Sequence, residues 1–211
     1  MLAILTATAA LSGHTLPRRT FLARTTALAI QCGFGSKAVH ADGMDLKTGG
    51  VMQFCDEDTM RPKAHGTSMA PVQSELRWNV DIKTADRICN FNRHYAEYAG
   101  YWETTNFLKE VDREKPTVYY DSVTGKPLFV APIGRTMNEF LAESKVHGWP
   151  SFRDKEVVWE NMRVLKATGE AVSADGTHLG HNLPDQDGSN RYCINLVSIA
   201  GKPLDANKEE V

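Results

Sequence analysis

The sequence predicts a mainly β domain with few and short helices. Five segments carry the β-branched, aromatic and apolar content of strands, at residues 117–120, 128–131, 157–159, 163–166 and 192–199. Only two stretches carry helical spacing or helix-start signals. Glycine- and aspartate-rich turns separate the later segments, and no internal repeat is visible.

Of the 211 residues, 42% are apolar and 24% charged, enough to build one domain with a sizeable core and too much for a disordered or fibrous chain. The 24 lysines and arginines are offset by 26 acids, so no broad basic surface is available for a phosphate backbone and nucleic acid is not an expected partner. No apolar stretch reaches the roughly 18–20 residues of a membrane span. The mature form is expected off the membrane and as a monomer.

Residues 1–41 hold Arg18, Arg19, Arg24 and Lys37 and no acid, which reads as a targeting leader. Within it, Pro17-Arg18-Arg19-Thr20-Phe21-Leu22 resembles a twin-arginine export signal, residues 25–30 are weakly apolar, and Val39-His40-Ala41 offers a small-residue cleavage site. A buried or amphipathic N-terminal helix is the competing reading. The leader implies export or an organelle: a thylakoid lumen or chloroplast, alternatively a bacterial periplasm. Residues 42–80 mix Gly, Asp, Lys, Met and Pro without a period and read as a loosely ordered arm.

The folded domain is expected over residues 81–204. Ile82, Ala85, Ile88, Phe91, Tyr95 and Tyr98 fall at steps of three or four before Gly100, which predicts one amphipathic helix over 82–98. Residues 117–120 and 128–131 flank Thr124-Gly125-Lys126-Pro127 and predict a hairpin or two neighbouring strands. Thr136 and Glu139 form a capping-box pattern for a short helix that ends before Gly148. Residues 157–159, 163–166 and 192–199 complete the strands. A charged tail occupies 205–211.

The strand around Arg191-Tyr192-Cys193-Ile194-Asn195-Leu196 is the most informative, because side chains alternate across a sheet. Arg191, Cys193 and Asn195 share one face, so a cation and an amide flank a thiol, a setting expected to favour the nucleophilic thiolate. Just upstream, Gly176-Thr177-His178-Leu179-Gly180-His181 places two imidazoles three residues apart, suited to proton transfer near neutral pH. Plainer readings exist for each. A lone strand cysteine is commonly a small buried hydrophobe, and His178, His181 and Cys193 are also residue types that bind zinc. The four cysteines, at 32, 55, 89 and 193, contain no C-x-x-C pair and do not build a disulfide scaffold.

Taken in order, GWPSF at 148–152, GTHLGH at 176–181 and RYCIN at 191–195 resemble the type B methionine sulfoxide reductases, which act on the R epimer. The resemblance covers about residues 120–199. It implies two antiparallel sheets packed around the site, with short helices in the N-terminal extension. It implies as substrate methionine-R-sulfoxide, free or in oxidised proteins, and hence a role in protein repair under oxidative stress.

Carried over, Cys193 takes the place of the nucleophile, with Arg191 and Asn195 as its polar support. His178 and His181 match the histidines that bind and protonate the sulfoxide oxygen. Trp149, with Phe152 beside it, matches the aromatic site for the substrate methyl group. Asp185 stands where the family often has an acid after its second histidine, with Asp187 as a competitor.

Two departures matter. Where many members hold a zinc with two C-x-x-C pairs, this chain has Asp121 and Thr124, then Val172 and Asp175, so no zinc or other cofactor is expected. Where many members carry a resolving cysteine directly before GWPSF, this chain has His147. Another thiol must recycle the sulfenic acid. Cys89 is the first candidate because Arg87 and Arg93 flank it on the expected helix, Cys55 is the second, and an external thioredoxin-like reductant is the alternative. Two other function classes remain: a non-catalytic module that binds oxidised or Met-rich peptides, and a cysteine hydrolase, for which no oxyanion hole is identifiable.

Overall fold

The computed structural model describes residues 35–185 and 187–204. The expected leader up to residue 34 and the tail 205–211 lie outside the described residues. The first element is a hairpin, β1 (Lys37–Ala41) with β2 (Met44–Thr48). Asp42 and Gly43 join them with φ of 51° and 75°, the left-handed pair that a two-residue turn between twisted strands requires. The expected cleavage motif Val39-His40-Ala41 therefore sits inside β1, and Ala41 is buried.

The arm that follows is irregular but closely wrapped. It contributes β3 (Phe54–Cys55), two short 3-10 turns at Glu57–Met60 and Arg77–Asn79, and the buried side chains Met60, Val72 and Trp78. Helix α1 (Ile82–Asp86) starts where the Asp81 carboxylate accepts the N–H of Thr84 at 2.7 Å. It runs into a π-helical turn at Arg87–Phe91 and stops there, seven residues short of the expected end at Tyr98. The reason is local: Asn92 leaves the helical region, its side chain takes the N–H of His94, and Arg93 turns inward to an ion pair. Tyr95 and Tyr98 are left exposed.

Helix α2 (Phe107–Glu110) precedes the second hairpin, β4 (Thr117–Tyr120) with β5 (Pro127–Ala131), as expected. Helix α3 (Met137–His147) has the predicted capping box, with the Thr136 hydroxyl accepting from Glu139 N–H and the Glu139 carboxylate accepting from Thr136 N–H, and ends at Gly148 in the left-handed region. The remaining strands are β6 (Ser151–Arg153), β7 (Met162–Leu165), β8 (Glu170–Ser173), β9 (His178–Asn182) and β10 (Arg191–Ile194).

Three sheets result, rather than the two antiparallel ones expected. The largest has six strands in the order β3-β7-β8-β9-β10-β6, and the hairpins β1-β2 and β4-β5 form the others. The β3–β7 pair is parallel, because the arm runs along the outer edge of β7 in the same direction. Residues 157–159 are not a strand. Val157 only bridges Phe129, and Val158 donates to Leu128, so the segment is pinned to the edge of β5 without a ladder. The last expected strand ends at Ile194 and gives way to a 3-10 turn at Leu196–Ser198.

Hairpin β4–β5 separates two apolar clusters by simple alternation. Tyr119 and Phe129 face the main core with Phe140 and Phe152, where the Phe129 and Phe152 rings stack at 4.2 Å between centroids. Val118, Tyr120 and Val130 face the other way, onto Ala41, Val39, Met44 and Leu46 of the first hairpin. The chain between β5 and β6 is fastened by a buried ion pair in which Arg135 donates to Glu156 at 2.6 Å, and Glu156 also accepts from Ile133 and Arg153 N–H. Removing one partner of such a pair costs about 3–5 kcal/mol.

Because β1 covers Val118 and Tyr120, a chain that begins at Asp42 should be less stable than one that begins at Gly35. Loss of the ladder and of the Ala41 contact should lower the thermal midpoint by about 2–6 °C, measured by circular dichroism. Identical midpoints would mean that β1 does not support the domain.

Candidate active site

Strand β10 forms the floor of the site. Tyr192 and Ile194 are buried on one side, while Arg191 and Cys193 turn to the other, as the period of two requires. β10 lies between β9 and β6, with Cys193 opposite His181 on one neighbour and Ser151 on the other. Opposed residues project from the same face with Cβ atoms roughly 5 Å apart, so the His181 imidazole is a neighbour of the thiol.

His178 precedes His181 by three positions and in a regular strand would point the opposite way. A β-bulge removes the conflict. Between Ala171 and Val172, β8 advances one residue while β9 passes from Gly180 to His178, so Leu179 is the extra residue and both imidazoles reach one cavity. Gly180 is needed for close approach, because a β-carbon there would run into the carbonyl oxygen of Cys193.

The cavity holds about 480 Å³. It brings together six of the residues expected from the sequence: Cys193, His178, His181, Asn195, Arg191 and Trp149. Tyr95 and Leu183 add apolar wall, and His147 and His94 stand in its lining.

The thiol and the guanidinium are in contact, with Arg191 Nη1 2.9 Å from Cys193 Sγ. The net effect on the thiol is nevertheless opposite to the expectation. Burial pushes the Cys193 pKa up, and the charge and hydrogen bond of Arg191 offset only part of that rise. The resting site therefore holds a thiol at neutral pH.

His178 is buried, with Nδ1 2.7 Å from Glu170 Oε1. Glu170 also accepts from Arg93 Nη2 at 2.6 Å, and Arg93 reaches outward to Glu57. Burial opposes ionisation of Glu170, but hydrogen bonds from His178 and Arg93 prevail and hold its carboxyl below the usual range. An ionised carboxylate can only accept, so Nδ1 of His178 carries the proton and Nε2 is the nitrogen free for other partners. Burial and the nearby His178 lower the pKa of His181, which leaves that imidazole neutral near pH 7.

Asn195 does not present a free amide. Its Nδ2 donates to Leu179 O at 3.0 Å, and its Oδ1 accepts from Glu97 N–H at 3.2 Å. Trp149 is placed by the end of α3, and its indole N–H donates to Glu97 O at 3.0 Å. The Glu97 carboxylate is buried and accepts from the N–H groups of Leu196 and Val197 at 2.7 and 3.1 Å. Burial pushes its pKa up to about 8.

Several expected residues stand elsewhere. Phe152 is fully buried in the aromatic core, where its stack on Phe129 replaces the expected substrate contact. Asp185 is 3.5 Å from Arg191 and borders a separate cleft on the far side of that guanidinium; Asp187 is turned onto Ser189. Cys89 is fully buried, 3.5 Å from the Ser198 hydroxyl, and burial drives its thiol pKa sharply upward. The arginines expected to activate it are engaged otherwise, Arg87 stacked on Tyr95 and Arg93 held by Glu170. Cys55 lies on β3, four strand positions from β10, or about 19 Å at the usual inter-strand spacing. Disulfides need Cα atoms within roughly 7 Å. Cys32 lies outside the described residues.

The positions that hold zinc in many proteins of the resembled family carry other interactions. Asp121 is buried and accepts from the Thr177 hydroxyl at 2.9 Å, Asp175 pairs with Lys126 at 3.0 Å, and Val172 is apolar core. That donor set does not fit a thiolate-bound metal. Among the described residues, no group of three or more His, Cys, Asp or Glu side chains is arranged to hold a metal ion, and no helix is long and apolar enough to cross a membrane. No protein-family model matches the chain.

Glu170, Arg93 and Glu97 are the site residues that sequence reasoning missed. Glu170 sits 77 positions from Arg93, and Glu97 sits 99 from Leu196, separations at which no spacing rule operates.

The balance at Cys193 is open to direct titration. Alkylation of the thiol by iodoacetamide should show a midpoint above the ~8.5 of an ordinary cysteine. Arg191→Met should move the midpoint higher still, since it removes the one contribution that favours the thiolate. A lower midpoint in that variant would show that the guanidinium does not act on the sulfur.

Proposed function

We propose that this chain reduces the R epimer of methionine sulfoxide to methionine and has the fold of the type B reductases. The observation that carries this reading is the convergence of Cys193, Arg191, two imidazoles and the Trp149 indole on one cavity. Each group matches a step of the chemistry. The indole face takes the S-methyl group of the substrate, a small apolar handle. The Cys193 sulfur attacks the sulfoxide sulfur as the oxygen is protonated, and collapse transfers that oxygen to Cys193 as a sulfenic acid and releases the thioether.

The raised thiol pKa fits this sequence rather than opposing it. Attack and protonation need one nucleophile and one proton, and a resting thiol supplies both. Neutral His181, opposite Cys193, relays the proton, and His178, its ring fixed by Glu170 through Nδ1, accepts at Nε2 the hydrogen bond of the protonated oxygen. Arg191 stabilises the thiolate as it forms.

Recycling draws on an external reductant of the thioredoxin type. Two reductant thiols convert the sulfenic acid back to a thiol, with one disulfide and one water as products. Neither Cys89 nor Cys55 stands at the cavity, so neither is assigned that step.

The test is turnover of stereochemically resolved methionine sulfoxide with dithiothreitol. The R epimer should be consumed, the S epimer ignored, and Cys193→Ser should be inactive. Binding without turnover would make the chain a peptide-binding module, and indifference to both epimers would refute the reading. Trp149→Ala should raise KM before it lowers kcat, a split that separates recognition from chemistry.

Glu170→Gln tests the orienting carboxylate. It keeps an acceptor for His178 but removes the charge that holds Arg93, and kcat/KM should fall by about tenfold with the R-epimer preference intact. Unchanged kinetics would show that His178 needs no anionic partner.

A further inference from the structure

We propose that the cavity selects oxidised methionines that lie beside a carboxylate, and that His147, with Arg191 and Arg93, reads that charge. This rests on the reductase reading of the same cavity and adds a substrate preference to it. The chain as a whole carries more acids than bases, 26 against 24. The cavity lining inverts that balance. It includes Arg93, Arg191, His94, His147, His178 and His181 and no aspartate or glutamate.

The carboxylates nearby balance part of the charge of the two arginines, but none of them lines the space a ligand would occupy. Glu170 is buried behind His178 and Arg93, Glu97 is buried on backbone N–H groups, and Glu57 and Asp185 pair with Arg93 and Arg191 from outside the lining. Among the described residues the histidines paired with carboxylates are His40, His65 and His178, so His94 and His147 keep their N–H groups for a ligand. His147 is half-buried at the last position of α3, two residues before Trp149, beside the groups that take the sulfoxide. The surface that faces a ligand thus carries guanidinium and imidazole N–H donors and no carboxylate, and imidazoles donate hydrogen bonds to carboxylates whether charged or neutral.

The carboxylate has two sources, an Asp or Glu next to the oxidised residue in a peptide, or the α-carboxylate of the amino acid. The experiment compares kcat/KM for blocked R-sulfoxide tripeptides with Glu, Gln or Lys on both sides, and for N-acetyl-methionine sulfoxide against its methylamide. At low salt the Glu peptide should exceed the Lys peptide by about five- to tenfold, with Gln between, and about 0.5 M NaCl should bring the ratio towards one. His147→Glu should lower the Glu/Lys ratio at least about threefold. Preference for the acetylated acid over the methylamide, without a flanking effect, would assign the charge to the amino-acid carboxylate.

A wild-type ratio within about twofold of one for both pairs, or a ratio indifferent to salt and to His147→Glu, would overturn the proposal. If no peptide is turned over, equilibrium binding of the same peptides to Cys193→Ser decides it. Tighter binding of the Glu peptide keeps the charge preference and removes the reductase reading, while equal binding removes the preference.

Discussion

A single buried carboxylate, Glu97, ties together the parts that make the cavity. Its oxygens take the N–H groups of Leu196 and Val197, which ends β10 and starts the 3-10 turn. Its own N–H holds the Asn195 amide, and its carbonyl holds the Trp149 indole. Asn195 in turn reaches Leu179, the bulged residue that brings His178 and His181 to one side. Strap, nucleophile strand, histidine strand and indole thus share one residue. Burial lifts the Glu97 pKa to about 8, so near pH 7 the group is mostly the neutral acid and avoids most of the cost of burying a charge. Its oxygens still find partners in the backbone N–H groups of Leu196 and Val197.

What the sequence makes legible follows from how locally each feature is determined. The capping box of α3 depends on two residues three apart, and it was readable. The faces of β10 depend on alternation alone, and they were readable too. The end of α1 was not, because Asn92 and Arg93 break the helix through partners that include Glu170, far along the chain. The bulge in β9 was equally hidden. Two histidines three apart look alike on paper whether the strand is regular or not, and only the pairing with β8 shows that Leu179 is extra. Phe152 was misplaced for a related reason: adjacency to Trp149 in GWPSF says nothing of which side of β6 faces the core.

The thiol shows where charge patterns mislead. Arg191 two positions from Cys193 promises a low pKa, and the predicted contact is present at 2.9 Å. Sequence displays the neighbouring charge and conceals the dielectric around it. Desolvation exceeds the guanidinium's contribution, and the net shift is upward. Cys89 gives the same lesson more strongly, since flanking arginines on the chain point away from a sulfur that is sealed in the core.

The region that carries zinc in many proteins of the resembled family shows how a tight turn is kept without thiolates. Asp121 and Thr177 join the two loops through a buried hydrogen bond, and Lys126 and Asp175 join them again nearer the surface. Lys63 from the arm donates to Thr59 and Thr67 and lies close against Gly176, where no side chain would fit. Gly176 directly precedes Thr177 and His178, so the arm that looked featureless in sequence packs against the entry to β9. A metal centre would fix these loops by coordination at one point. Here the same constraint is spread over a buried hydrogen bond, an ion pair and an arm threaded across both, each modest alone. The position of His178 thus depends on residues more than a hundred positions upstream, and the arm is part of the architecture that presents the cavity.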